Sequence, residues 1–418
     1  MELAVVGAGW AGLAAAVRAC QAGHAVTIYE MARQPGGRAR AVEVDGERLD
    51  NGQHILIGAY TRTLDLMATV GADAKRLLDR RPLTLRHADG RGLALPAGSA
   101  VPAFLRAVAS CRGWTWADRA ALLAATLGWS LARFRCDPRL SVAELCRGLP
   151  PRVRQLLIDP LCVAALNTPA EQASAQVLLT VLHDAVFGGP GSADLLLPRR
   201  PLSELLPEPA LAWLGAAGAR LRLGERVMRI EADGARWRVD GQAHDALILA
   251  ASAAEAARLA APVAPEWART CAALRYEPIV TVYLSCPGAR LAAPMLALED
   301  GPEAPAQFAF DLGAIGARPG LFSFVVSGAA PWVERGLDAT AAAVLAQARP
   351  LLPDAMPRQV LAEKRATFRC TPGLERPPAR IAPGLCAAGD YVEGPYPATI
   401  EGAVRSGEAA LKVVAPRD

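Results

Sequence analysis

Lysine is almost missing from this chain. Three occur in 418 residues, at Lys75, Lys364 and Lys412, and arginine carries nearly all the positive charge. The formal net charge of +4 is mild and offers nucleic acid no clustered basic footprint. Histidine is scarce too: the five present lack metal-ligand spacing, and the nine cysteines include no Cys-x-x-Cys pair. No metal centre is expected, and the cysteines read as reduced, mostly buried thiols of a cytosolic protein. Long apolar runs are missing as well. Nothing reaches the roughly 18 residues of a membrane span, and the uncharged stretch from Ala120 to Ala132 is too short. Charged residues are 21% and hydrophobic residues 52%, which excludes long disorder, and the length suits two or three domains.

What is present starts at the N-terminus. The apolar run Leu3-Ala4-Val5-Val6 leads into Gly7-Ala8-Gly9-Trp10-Ala11-Gly12, and a helix-forming stretch follows from Leu13 to Ala22. Strand, glycine turn and helix in this order make a pyrophosphate cradle. Gly7 permits the tight turn, Gly9 lets backbone approach a phosphate, and Gly12 lets the helix pack closely on the strand. The helix N-terminus offers its free N–H groups to the anion. A second strand, Ala25 to Tyr29, ends in Glu30, whose carboxylate suits both hydroxyls of an adenosine ribose and repels a 2′-phosphate. Because the chain opens on the cradle strand, no leader is expected. Gly36-Gly37-Arg38, with Arg40 close behind, supplies flexible backbone and a guanidinium for a second stretch of pyrophosphate.

Together with Asp50-Asn51-Gly52-Gln53-His54, this N-terminus is similar to the flavin-binding segment shared by the amine oxidases and carotenoid desaturases. The resemblance implies FAD. The tail agrees: an apolar strand, Gly384 to Ala388, ends in Gly389-Asp390, and Tyr396-Pro397-Ala398-Thr399-Ile400-Glu401-Gly402 opens a helical stretch to Val414. By resemblance, Asp390 meets the ribityl chain, and the backbone around Thr399 and Ile400 points N–H groups at the flavin pyrimidine. Gly224 to Val227 resembles the strand whose backbone contacts the adenine.

The flavin features fall in three separated segments. The expected fold is α/β, with a Rossmann-type FAD-binding domain built from residues 1–75, 209–265 and 381–418. An α+β substrate domain is inserted as a helical cap over 76–208 and a β-sheet part over 266–380. In the cap, Trp116, Ala120, Leu123, Leu127, Leu131 and Phe134 recur at helical spacing, and Arg112, Arg119, Arg133 and Arg135 flank them. This helix reads either as a buried piece of the cap or as an interfacial helix dipping into a bilayer.

Four runs narrow the family: Asp50 to Leu56, Leu166-Asn167-Thr168-Pro169 with Glu171 to Gln176, Ser192 to Arg199, and Tyr396 to Gly402. Over nearly its whole length the chain resembles the squalene-associated flavin-dependent desaturases, whose activity is hydroxysqualene dehydroxylation. One departure is Ser252, where relatives often carry proline. An amine oxidase is disfavoured, since no lysine lies between Lys75 and Lys364 to stand near the flavin. The resemblance implies reductive removal of an allylic hydroxyl from a C30 isoprenoid, with hydride from the reduced flavin N5 to an allylic cation. It also implies an isoprenoid lipid substrate, an external electron donor that reduces FAD, and a cytoplasmic protein docked peripherally on the inner membrane. The alternatives are a polyene desaturase running hydride the other way and a non-catalytic prenyl-binding escort protein. The departing hydroxide needs a general acid. His54 and Asp194, an acid among leucines, are the candidates, with a hydrogen-bonding role for His54 and a helix cap for Asp194 as the plainer readings. Tyr396 is the candidate for stabilising the cation through its ring.

Overall fold

The computed structural model describes residues 1–414, apart from the side chain of Val186; the last four positions of the 381–418 segment lie outside the described residues. Glu2–Val6 is the centre of a six-stranded sheet. In order, its strands are Arg220–Leu223, Ala25–Glu30, Glu2–Val6, Ala246–Leu249, Leu385–Ala387 and Arg380–Ala382. The first five run parallel, with Val6 opposite both Tyr29 and Leu249, and the last is antiparallel. A sheet buried on both faces needs continuous apolar strands; Leu3, Ala4, Val5, Leu247, Ile248 and Leu249 have no exposed surface. This is the expected α/β arrangement, and its strands come from three distant stretches of chain.

Helices Trp10–Gln21 and Ile400–Val414 lie against one another on this sheet. Small residues set their separation. A Cβ on Gly407 would sit 2.1 Å from the Ala11 carbonyl oxygen and 3.0 Å from the Ala14 Cβ. Arg18 pins the pair at the surface through Glu408, at 2.7 Å.

The second layer is a five-stranded antiparallel sheet in the order Met295–Ala297, Phe308–Asp311, Leu321–Val326, Tyr276–Ser285 and Met356–Phe368. The last of these was not foreseen: its apolar residues are interrupted by Lys364, Arg365 and Glu363, and only pairing with Tyr276–Ser285 makes it a strand. The cap holds helices Ala100–Ser110, Trp116–Leu131, Asp159–Leu166 and Ala175–Phe187. Leu195–Pro198 is a strand between Leu56–Ile57 and Leu78–Arg81, so Asp194 caps no helix. Nor is Trp116–Leu131 a buried helix: only Asp118 and Leu122 of it are buried.

The family-like run Leu166 to Pro169 proves to be a tie between cap and sheet. Asn167 ends its helix in the left-handed region, at φ 49°. Its Nδ2 donates to the Glu277 carbonyl oxygen at 3.2 Å and to Thr367 Oγ1 at 2.9 Å, and its Oδ1 accepts from the Gly328 N–H at 2.7 Å.

Two outcomes follow from this packing. Gly407→Val should cost about 1–3 kcal/mol or more, since the added atoms meet backbone that has no room to retreat; chemical denaturation measures it. Burial pushes the Asp50 carboxyl up to about 7, although its Oδ1 accepts from the Leu202 N–H at 2.8 Å. Between roughly pH 4 and 7 the folded chain therefore keeps a proton that the unfolded chain has lost, and stability falls as pH rises through that window. Asp50→Asn keeps the acceptor, so its advantage over the wild type should be present at pH 8 and vanish near pH 4; a pH-independent difference would refute the cause.

Candidate active site

The two layers meet over one cavity of about 650 Å³. Its floor is the glycine turn. Gly7 has φ +111°, and a Cβ there would lie 2.5 Å from the Ala250 carbonyl oxygen; at Gly12 it would lie 1.9 Å from the Gly7 carbonyl oxygen. These two glycines are needed by the protein itself. Gly9 differs: a Cβ there would meet only the Gly37 Cα, at 3.9 Å, so the space before it is open. Gly9 is also the N-cap of Trp10–Gln21, and no side chain caps that helix. Unclaimed N–H groups facing an open space fit the pyrophosphate of a dinucleotide.

The neighbouring loop completes the floor. The Gly36 N–H donates to the Ala8 carbonyl oxygen at 2.8 Å, and Gly36 bridges Gly9 in parallel fashion. Gly37, Arg38 and Arg40 line the cavity, and Arg40 Nε is buried without a partner. Glu30 also lines it. Its Oε2 accepts from the Ala8 N–H at 2.7 Å and its Oε1 from the Ala32 N–H at 2.8 Å, so this carboxylate holds the glycine turn as well as facing the cavity. Each oxygen keeps a lone pair for a ribose hydroxyl.

Arg38 does not stand free over a phosphate. Its Nη2 donates to Asp390 Oδ1 at 2.5 Å and its Nη1 to the Ala366 carbonyl oxygen at 2.9 Å. Burial disfavours the guanidinium, but Asp390 beside it raises its pKa, so the pair is ionic. The Gly389 N–H donates to Ser406 Oγ at 3.1 Å, and Gly389, Asp390 and Ile400 line the wall where Ile400–Val414 begins. Val227 lines the opposite end, in an irregular segment after the strand Arg220–Leu223 and not in a strand as expected.

The three candidate catalytic residues do not come together. His54 lines the cavity. Its Nδ1 is 2.8 Å from the Gly52 carbonyl oxygen, which only accepts, so Nδ1 carries the proton. Burial lowers its pKa, and the nearby Arg38 charge adds to this. The lowered pKa favours the neutral ring, in which Nε2 is an acceptor, so the geometry lends the general-acid reading of His54 no support. Asp194 is absent from the lining. It accepts from Arg80 Nε at 2.7 Å just before the strand Leu195–Pro198, an ion pair with solvent access. That corrects the second reading: Ala193 and Leu195 on either side line the cavity, while the acid between them is turned to Arg80. Tyr396 lines the cavity, but the Arg405 guanidinium lies 4.9 Å from its ring centroid. A cation already covers that face, so the ring is the wrong part of Tyr396 to hold a second.

Asp184 was missed. It lies in the helix Ala175–Phe187, where its sequence neighbours give no sign of a site. It lines the cavity, His183 Nδ1 meets its Oδ1 at 2.9 Å, and its Oδ2 is buried without a partner. Tyr396 shares this cavity with Asp184, and burial together with the nearby carboxylate pushes its hydroxyl up to about 12. Only the long-range fold joins the two. Leu83, Leu85, Leu161, Val181, Met295 and Phe308 give the upper walls a mostly apolar lining, with Gln53, Asn167, Ser327 and Thr367 among the polar exceptions. No lysine lines it among the described residues.

The pattern of the flavin containing amine oxidoreductase family matches residues 10–414. Across 98% of its length the chain is 28% identical to the hydroxysqualene dehydroxylase of Rhodopseudomonas palustris, spanning 97% of that protein. It is also 28% identical to the hydroxysqualene dehydroxylase of Zymomonas mobilis, with 97% of each chain covered. The cyclohexylamine oxidase of Brevibacterium oxydans superposes with a TM-score of 0.73 over 99% of this chain and 98% of that one; at 15% identity the likeness is one of fold.

Glu30→Ala removes the carboxylate from two backbone N–H groups as well as from the ribose position. Flavin affinity should fall about tenfold or more, measured by flavin fluorescence on titrating the apoprotein. Unchanged affinity would dismiss the ribose role.

Proposed function

Because the chain belongs to the flavin containing amine oxidoreductase family, and is a flavin-dependent oxidoreductase of its squalene-associated branch, we propose that it converts hydroxysqualene to squalene with FAD as cofactor. The open cradle at Gly9, the uncapped helix and Glu30 suit the pyrophosphate and ribose of FAD, while Arg38, Asp390 and the start of Ile400–Val414 suit its flavin half. When bound in the reduced form, FAD supplies the hydride, so that the alcohol and reduced flavin give squalene, water and oxidised flavin.

The observation that carries this reading is the pairing of Tyr396 and Asp184 with a mostly apolar upper lining, Leu83, Leu85, Leu161, Val181, Met295 and Phe308, in one cavity with the glycine cradle. A C30 alcohol has the matching form: one oxygen on a long apolar chain. Tyr396 keeps its proton at neutral pH, since its pKa lies near 12. It holds the substrate hydroxyl by donating to it and passes the proton as the C–O bond breaks. The Asp184 carboxylate, with one oxygen unpartnered, leaves the phenol proton to the substrate and stabilises the allylic cation by charge. The apolar walls exclude water, which would otherwise capture the cation. Among the described residues an amine would find no lysine-held water here.

Anaerobic incubation of the protein with chemically reduced FAD and hydroxysqualene should give squalene. Tyr396→Phe and Asp184→Asn should each lower turnover by about 10²–10⁴ with flavin content unchanged. Unreacted alcohol under verified flavin reduction would overturn the function, and full activity in either variant would overturn the residue assignment. New conjugated absorbance from the oxidised protein and squalene would favour a desaturase.

A further inference from the structure

The helix Trp116–Leu131 wears its apolar side outward. Trp116 is 77% exposed, Leu127 62% and Leu131 77%. Ala117, Ala120, Leu123, Ala124 and Gly128 complete the exposed face, and no charged residue interrupts it from Ala120 to Ala132. A surface helix normally turns its polar residues to water; this one has few to turn, Arg119, Thr126 and Ser130 beside the buried Asp118, and none of them is among its exposed residues. A contiguous apolar face of this kind marks a contact surface.

Cations frame it. Arg119 lies over the Trp116 ring, 4.7 Å from its centroid, and Arg112, Arg133 and Arg135 are exposed at the two ends. Among the described residues none of these four is in an ion pair. Elsewhere the chain pairs its arginines with carboxylates, as in Arg18–Glu408, Arg80–Asp194 and Arg236–Asp245. The one acid of the helix, Asp118, is buried and its carboxylate is taken by the Thr115 N–H and Oγ1, at 2.8 and 2.9 Å.

We propose that this face docks on an anionic lipid bilayer, with the leucines below the headgroups, Trp116 at their level and the four arginines against lipid phosphates. A second copy of the chain is the poorer occupant. A two-fold contact would set the same unpaired arginines of both copies together with no carboxylate to receive them. The docked face continues into the wall of the cavity. Phe134, just past the helix, packs on His183 and Phe187 with ring centroids 5.3 and 5.2 Å apart. Gln176 donates to the Phe134 carbonyl oxygen at 3.0 Å and accepts from the Cys136 N–H at 3.1 Å. Those partners belong to Ala175–Phe187, whose Val177, Val181, Asp184 and Ala185 line the cavity. One helix thus joins the lipid face to the site. The proposal rests on the surface alone and stands whatever alcohol or polyene the site accepts.

Flotation of the flavin-loaded protein with phosphatidylcholine vesicles, with and without phosphatidylglycerol, tests it. Binding should require phosphatidylglycerol and weaken as salt rises. Leu127→Glu with Leu131→Glu should reduce binding about tenfold or more, and Arg133→Gln with Arg135→Gln should flatten the salt dependence. All four positions are exposed, so flavin absorbance and circular dichroism stay as in the parent and separate docking from folding. Failure to float on phosphatidylglycerol vesicles, or equal flotation of the leucine variant, overturns the proposal. So does a dimer abolished by the leucine variant in the absence of lipid binding, which would give the face to a second copy. Turnover of detergent-dispersed hydroxysqualene is read separately, so a failed function and a failed surface are told apart.

Discussion

The strand Glu2–Val6 is hydrogen-bonded on one side by Ala25–Glu30 and on the other by Ala246–Leu249, a partner more than two hundred residues away. The site depends on that long-range pairing. The turn after Val6 has its shape because the Gly7 N–H donates to the Tyr29 carbonyl oxygen at 2.7 Å while Ala250 crowds the other side of Gly7. With both neighbours in place the backbone can go only where it goes, and the open space before Gly9 results. The cradle is thus a by-product of sheet assembly, with the glycines removing the side chains that would fill it.

Above the cradle, polar ties between distant segments do the positioning. Arg38 of the N-terminal loop holds Asp390 of the tail, Asn167 of the cap holds the second sheet, and Glu401 of the last helix takes the Thr63 N–H and Oγ1 at 2.9 and 2.7 Å. Each is a charged or amide group whose buried valences are met across segments, so loss of one partner strands the other. Such ties fix where the apolar cap sits over the floor. A flavin-dependent reaction needs such a fixed gap, since reactant and cofactor must be held at a set separation.

Local pattern made the floor legible. Glycine spacing, an acidic strand end and a tail of strand and helix are short-range signals, and the residues that bear them lie on one cavity. The apolar runs that became Ala246–Leu249 and Leu321–Val326 carry the same kind of local signal. Met356–Phe368 was not, because its identity comes from pairing with Tyr276–Ser285 and not from its own alternation. The catalytic corner was the least legible part. Asp194 looked like an acid in hydrocarbon, yet it is turned to Arg80, 114 positions away. Asp184 looked like an ordinary helix residue, yet the fold brings it into the same cavity as Tyr396. Long-range contacts decide both cases, and neither composition nor period encodes them.

The sheet closes on its C-terminal strand and helix, and this sets an order of events during synthesis. The small-residue side of Trp10–Gln21 packs against Ile400–Val414, made nearly four hundred residues later. While the ribosome is still translating the middle of the message, that face of the earliest-made helix must wait without this cover. Loading with cofactor is then coupled to the arrival of the tail.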